Sequence, residues 1–225
     1  MYGLILSIAI ISCLFVAEYL ARLNNKNTQT ISDISFISII CGLIGARLYH
    51  VIDFFEFYKE FPLKILDLRT GGLGIYGAIF GGFIGEFAYL HYKKLDSLFW
   101  LNLSACVLPL GQAIGRFGNY FNKELYGTPT SLPWAITVNN TQVHPLFLYE
   151  SILNLILFGY LYLSFNKNKH TFLLYLQGYA WIRLILEPFR ITAWEIYNLN
   201  VAQMISILII LTTYVFIYRL RSRRI

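Results

Sequence analysis

Arginines, carboxylates and asparagines recur at helical spacing in a chain that is otherwise apolar. Tyr179, Arg183 and Glu187 stand at i, i+4 and i+8, so they share one helix face, and Arg190 extends that face past Pro188. Arg47 and His50 share a face at i, i+3. Arg116, Asn119, Asn122 and Glu124 fall within one short run, and Glu150 follows closely on His144, Pro145 and Tyr149. Guanidinium groups grip phosphate in a bidentate way that lysine does not reproduce. Ionisable groups inside hydrocarbon are costly, so they are paired or functional. Arg183 with Glu187 alone could simply join helices. The accumulation of such groups toward one end of the apolar segments suits a lipid whose phosphate head rests on arginine and whose tails stay in the bilayer. A transporter or channel would instead need polar residues along a path through both leaflets. In the other half such residues thin out, with Glu18 and Glu86 the main exceptions.

The elements that must carry these residues follow from composition. Of 225 residues, 57% are hydrophobic and only 13% charged, about half the charged fraction of a soluble domain. This excludes an ordinary cytosolic enzyme, a disordered chain and a disulfide scaffold. It predicts an all-α polytopic membrane protein forming one domain over residues 1–225. Seven apolar segments are expected to span: Tyr2–Leu20, Ile34–Phe55, Gly72–Leu90, Leu98–Ile114, Pro145–Phe165, Phe172–Leu186 and Val201–Tyr218. No basic residue precedes the first, which is therefore read as a retained helix. With the N-terminus outside, ten of the 18 basic residues fall on inner loops and the tail, including the run from Arg219 to Arg224. The polar, turn-rich stretch 119–143 is expected to form a small extracytoplasmic cap between the fourth and fifth helices.

Other features are set aside. The net charge of +6 comes from basic clusters between apolar stretches, which does not describe a nucleic-acid surface. Cys13, Cys41 and Cys106 lie in apolar runs without metal-ligand spacing. Gly72, Gly74 and Gly77 make a formal G-x-G-x-x-G, but a membrane segment offers no βαβ unit. Gly77, Gly81 and Gly85 recur every four residues, as in close helix packing. Asn139-Asn140-Thr141 fits a glycosylation acceptor, a pattern common by chance.

The run Gly115-Arg116-Phe117-Gly118-Asn119-Tyr120-Phe121-Asn122-Lys123-Glu124-Leu125-Tyr126-Gly127 resembles the signature of bacterial prolipoprotein diacylglyceryl transferases. His144-Pro145-Leu146-Phe147-Leu148-Tyr149-Glu150 resembles that family's H-P-x-x-L-Y-E, and Tyr179, Arg183, Glu187 and Arg190 its Y-x-x-x-R-x-x-x-E-x-x-R. Gly45-Ala46-Arg47-Leu48, Tyr2-Gly3-Leu4, and Gln203 with Ser206 fall in the family's order as well. The resemblance covers essentially the whole chain.

It implies a seven-helix enzyme of the bacterial cytoplasmic (inner) membrane, its site facing outward. Such an enzyme moves the diacylglyceryl group of phosphatidylglycerol onto the lipobox cysteine of a prolipoprotein, forming a thioether and releasing glycerol phosphate. The substrate supplies the nucleophile, so neither a cofactor, a metal nor a catalytic cysteine is expected. Arg116 and Arg183 are the expected phosphate contacts, with Asn119, Glu124 and Tyr76 also assigned to catalysis. Asn122, Gly127, His144, Tyr149, Glu150, Tyr179, Glu187, Arg190, Arg47 and Tyr2 are expected to line the substrate site. Two departures stand out. Many family members carry His-Gly-Gly where this chain reads Tyr76-Gly77-Ala78, and Asn102 stands where an acid is expected. The first leaves open an inactive paralogue that binds lipid or lipoprotein without transfer.

Overall fold

The computed structural model describes the chain apart from residues 1, 68–70, 123, 168, 192–194, 197–198 and 223–225. The main helices are α1 (Tyr2–Leu23), α2 (Gln29–Asp53), a short α3 (Phe55–Glu60), α4 (Ile75–Tyr92), α5 (Ser97–Phe121), α6 (Leu146–Ser164), α7 (Thr171–Leu186) and α8 (Val201–Ser222). Among the described residues these are accompanied by 3-10 turns at Pro62–Leu66 and Glu187–Phe189 and by two small antiparallel hairpins: β1 (Ile136–Val138) with β2 (Thr141–Val143), and β3 (Glu195–Ile196) with β4 (Leu199–Asn200).

Five of these helices, α1, α2, α5, α6 and α8, are long and apolar enough to cross a membrane. Their surfaces carry outward-facing side chains such as Ile11, Phe15, Phe36, Ile156, Leu163, Leu208 and Phe216. Such a surface suits hydrocarbon rather than water. The other two expected spans also form helices, but weaker ones by this measure. Glycines, Glu86 and His91 dilute the apolar character of the 18-residue α4. The 16 residues of α7 extend only about 24 Å, short of a hydrocarbon core of about 30 Å.

The chain divides into two compact units, one of residues 1–20 with 101–225, the other of residues 21–100. In the second, α2 and α4 touch backbone to backbone. A Cβ at Gly45 would collide with the Gly77 carbonyl, one at Gly77 with the Gly45 carbonyl, and one at Gly81 with the Cys41 carbonyl. Only hydrogen side chains permit this approach, as the four-residue glycine spacing predicts. The Tyr89 hydroxyl donates to Asp33 Oδ2 at 2.6 Å, tying the C-terminal end of α4 to the N-terminal end of α2.

In the first unit, the Ser151 hydroxyl donates to the Ala113 carbonyl at 2.9 Å and locks α6 to α5. Gln112 Nε2 donates to the Tyr175 hydroxyl at 2.9 Å and joins α5 to α7. Asn102 is buried and uses both ends of its amide. Its Nδ2 donates to the Lys169 carbonyl at 3.0 Å, and its Oδ1 accepts from the Phe172 amide at 2.8 Å. One residue thus satisfies an open donor of the first turn of α7 and the carbonyl just before it. A carboxylate could not make the donor half, which accounts for asparagine at this position.

The structure moves several expected boundaries, α2 starting at Gln29 and not at Ile34, and the largest shift is at the end of α5. α5 runs on to Phe121, so Arg116 and Asn119 project from a helix, not from the loop expected to start near Ile114. Gly115, Gly118 and Asn119 are poor helix formers, and packing overrides their propensity here.

Candidate functional site

Glu150 is the hub of the first unit's polar centre. It is 2% exposed in the second turn of α6. Its Oε1 pairs with Arg116 Nη2 from α5, and its Oε2 lies 3.4 Å from Arg190 Nη2. Glu187 is a second hub, 4% exposed, at the 3-10 turn that continues α7. Its Oε2 is 2.8 Å from Arg183 Nη2 and 3.6 Å from Arg190 Nε. Neither N–H is aligned on that oxygen, which has no directed hydrogen bond. Arg190 therefore bridges both carboxylates. Tyr179 lies within electrostatic reach of Glu150, Arg116, Arg183 and Arg190, and its ring stacks on Tyr175 with centroids 6.1 Å apart.

The helix periodicity explains half of this arrangement. Arg183 meets Glu187 one turn on, and Arg190 follows because the turn is completed by a hydrogen bond of 3.0 Å from the Arg190 amide to the Glu187 carbonyl. Beyond that turn the chain extends and Arg190 pairs with Gly127 in an antiparallel bridge. The Arg190 pKa is lowered, first by burial and then by Arg183, with Glu150 and Glu187 acting against the shift. Guanidinium remains charged throughout. The five side chains Arg116, Arg183, Arg190, Glu150 and Glu187 sum to one net positive charge.

The segment after α5 forms a small folded layer on this centre. Asn139 and Asn140 both take left-handed φ values, 48° and 62°, giving the primed two-residue turn that β1 and β2 require. This conformational demand accounts for the asparagine pair. Gly127 donates to the His144 carbonyl at 2.9 Å, and the Thr128 amide donates to the Phe189 carbonyl at 2.8 Å. A Cβ on Gly127 would sit 2.7 Å from His144 Cβ and 3.0 Å from the Phe189 carbonyl. Glycine is needed there so that the seam beside Arg190 can close. His144 Nδ1 lies 3.3 Å from the Tyr149 hydroxyl, which accepts from Trp134 Nε1 at 2.7 Å. Asn119, Glu124, Tyr120, Phe121, Tyr126 and Phe147, with β1, line a cleft of about 540 Å³. Glu124 and Asn122 are exposed.

Sequence reasoning thus named Arg116, Glu150, Tyr179, Arg183, Glu187 and Arg190, and the structure brings them together. Asn119 and Glu124 share the neighbouring cleft, and Gly127, His144 and Tyr149 belong to the folded layer. Arg47 and Tyr76 lie in the other unit, with Tyr76 half exposed on the first turn of α4. Tyr2 opens α1, and its side chain lies outside the described residues, as does Lys123. Sequence reasoning missed Gln112, Tyr175 and Trp134. The position of Gln112 one turn before Arg116 is the signal that could have found it. Among the described residues, no group of three or more His, Cys, Asp or Glu could hold a metal ion.

The fold and this centre define a class: a multi-pass α-helical membrane protein with a net-cationic arginine–carboxylate network in its polar layer. Comparison with known proteins narrows it. The family described as prolipoprotein diacylglyceryl transferase matches residues 1–219. A phosphatidylglycerol--prolipoprotein diacylglyceryl transferase of Finegoldia magna is 39% identical over 215 residues, covering 93% of this chain and 86% of that protein. Proteins of the same description from Thermotoga maritima and Clostridium botulinum (strain Langeland) are 34% and 33% identical. They cover 98% and 97% of this chain, and 80% and 91% of their own lengths. The chain belongs to the prolipoprotein diacylglyceryl transferase family.

Proposed function

We propose that this protein transfers the diacylglyceryl group of phosphatidylglycerol to the lipobox cysteine of prolipoproteins. The observation that carries this reading is the network of Arg116, Arg183 and Arg190 with Glu150 and Glu187. Three cations against two anions leave one positive charge, which a singly charged phosphodiester neutralises.

The cysteine sulfur attacks the glyceryl carbon that carries the phosphate ester. The C–S bond forms, the C–O bond breaks, and its electron pair departs on the oxygen of glycerol phosphate. The thiol proton leaves first, passing to water at the site, because thiolate is the nucleophile. The phosphate gains a negative charge during this step, so preorganised guanidinium groups favour the transition state over the bound lipid. Arg116 and Arg183 hold the phosphate. Glu150 and Glu187 fix the arginines, and Arg190 keeps the two carboxylates from repelling one another. Asn119 and Glu124 contact the head group from the cleft, and the exposed Asn122 contacts it from the end of α5. Tyr179 borders the phosphate, while Gly127, His144 and Tyr149 hold the layer beside Arg190. Tyr76 takes a hydrogen-bonding role in the reaction.

All seven long helices span the bacterial cytoplasmic membrane, with the N-terminus outside and the C-terminus inside. α7 reaches full span with its 3-10 extension, Glu187–Phe189. The polar stretch 119–143, its first three residues being the last turn of α5, then forms an outward cap, and residues 1–225 act as one transferase domain. The test is purified protein in phosphatidylglycerol liposomes with a lipobox peptide, read by peptide mass. A diacylglyceryl gain that is lost with Arg116→Ala and with a Cys-to-Ser peptide is expected. No gain from folded protein would refute the reading.

A further inference from the structure

Residues 64–67 and 71–74, between α3 and α4, are folded around one side chain. Arg47 is 6% exposed at the end of α2. A guanidinium has five N–H donors, and each of these meets a backbone carbonyl. Nε donates to Ile65 at 2.8 Å, Nη1 to Gly71 at 2.8 Å and Gly72 at 3.0 Å, and Nη2 to Asp67 at 2.8 Å and to Lys64. The Arg47 guanidinium carbon lies 5.2 Å from the Tyr58 ring centroid, a favourable cation–π arrangement. The Tyr58 hydroxyl is 3.0 Å from His50 Nδ1.

The residues beside Arg47 on α2 hold the same strap. The Gly74 amide donates to the Ala46 carbonyl at 2.9 Å. Gly72 has φ +75°, and a Cβ there would fall 2.7 Å from Arg47 Nη1 and 2.9 Å from His50 Cε1. A Cβ on Gly74 would enter the Tyr49 ring. The glycine run is therefore a backbone pressed onto α2. Two residues past Gly74 stands Tyr76, its ring centroid 6.0 Å from that of Tyr49.

We infer that Arg47 is a positioning residue and not a phosphate ligand: its guanidinium is the template on which 64–67 and 71–74 fold, and through them it sets the stance of Tyr76. A phosphate contact would need a free N–H, and all five are used. Lysine keeps the charge but has three donors on one tetrahedral nitrogen, so at least two of the five carbonyls would lose their partner. The effect on rate rests on the transferase reading above; the folding of the strap does not.

The experiment compares Arg47→Lys, Arg47→Gln, Gly72→Ala and the double variant Arg47→Gln/Gly72→Ala. Amide exchange over 64–67 and 71–74 is measured in detergent without lipid substrate, and kcat and KM for phosphatidylglycerol are measured in liposomes. Arg47→Lys should speed exchange about tenfold or more and lower kcat about tenfold, with KM within about threefold. Gly72→Ala should act alike, because its Cβ takes the place of Nη1. The double variant should be no worse than the worse single, since both break one unit. A rise in KM with unchanged exchange would make Arg47 a phosphate ligand and overturn the inference. Faster exchange with unchanged kcat would overturn the link to Tyr76. If wild-type protein transfers nothing, the transferase reading and the rate effect fall together, while the exchange measurement still decides whether Arg47 folds the strap.

Discussion

Glu150→Gln tests the network at its hub. Glutamine keeps the volume of the 2%-exposed side chain but turns one oxygen into an NH2 group. Whichever way the amide faces, it presents donors to either Arg116 or Arg190, which themselves offer only donors. Two guanidinium groups that are 19% and 15% exposed then share a buried site without the carboxylate between them. Breaking one partner of a buried pair costs about 3–5 kcal/mol. The remaining exposure of both arginines favours the lower end, about 3 kcal/mol. Expressed as misplacement of Arg116 in the transition state, that is a loss of about 10² in kcat/KM. Initial rates against the phosphatidylglycerol fraction in liposomes would measure it, with thermal unfolding in detergent as the folding control. Glu187→Gln supplies an internal comparison. Its oxygen holds Arg183 and Arg190 without a directed hydrogen bond, so its loss should be smaller, about tenfold. Glu150→Gln within about threefold of wild type, or a larger loss at Glu187 than at Glu150, would refute the assignment of Glu150 as hub.

Three further outcomes follow from particular contacts. Arg116→Lys should lower the transfer rate about 10²-fold, because a point charge replaces a fork that serves both Glu150 and the developing phosphate charge; steady-state kinetics would show it. Asn102→Asp should cost about 1–3 kcal/mol of stability by leaving the Lys169 carbonyl unpaired and burying a carboxyl group, seen as a lower unfolding temperature with little change in rate at low temperature. Gly45→Val should prevent accumulation of folded protein in membranes, since the added side chain meets the Gly77 carbonyl where the helices have no room to part; Gly3→Val, with open space around it, should accumulate normally.

The contrast between legible and illegible features has a physical basis. Arg183, Glu187 and Arg190 could be placed together from spacing alone, because helix geometry is local. The glycine repeat in α4 predicted its packing for the same reason. The pairing of Arg116 with Glu150, 34 residues apart, has no local periodicity to reveal it. Arg47 was legible as an ionisable group in apolar surroundings, but its partners are carbonyls, which every residue carries and no side-chain pattern marks. Asn102 gave a misleading signal: it read as a missing acid, whereas it meets a backbone demand that only the folded chain displays. The Asn139-Asn140 pair, set aside as a chance acceptor pattern, likewise meets a turn's demand for left-handed φ. The continuation of α5 through Gly115 and Gly118 was hidden because packing, not propensity, extends it.

The central claim is that one specific bond breaks, between the glyceryl carbon and the phosphate oxygen. The most direct measurement uses phosphatidylglycerol labelled separately in the acyl chains, the diacylglyceryl carbons and the phosphate, with the lipobox peptide as acceptor. Acyl and glyceryl labels are expected together on the peptide sulfur, resistant to mild base at the sulfur, with an equal amount of phosphate label released as glycerol phosphate. Acyl label alone on the peptide, or phosphate label carried with it, would contradict the account.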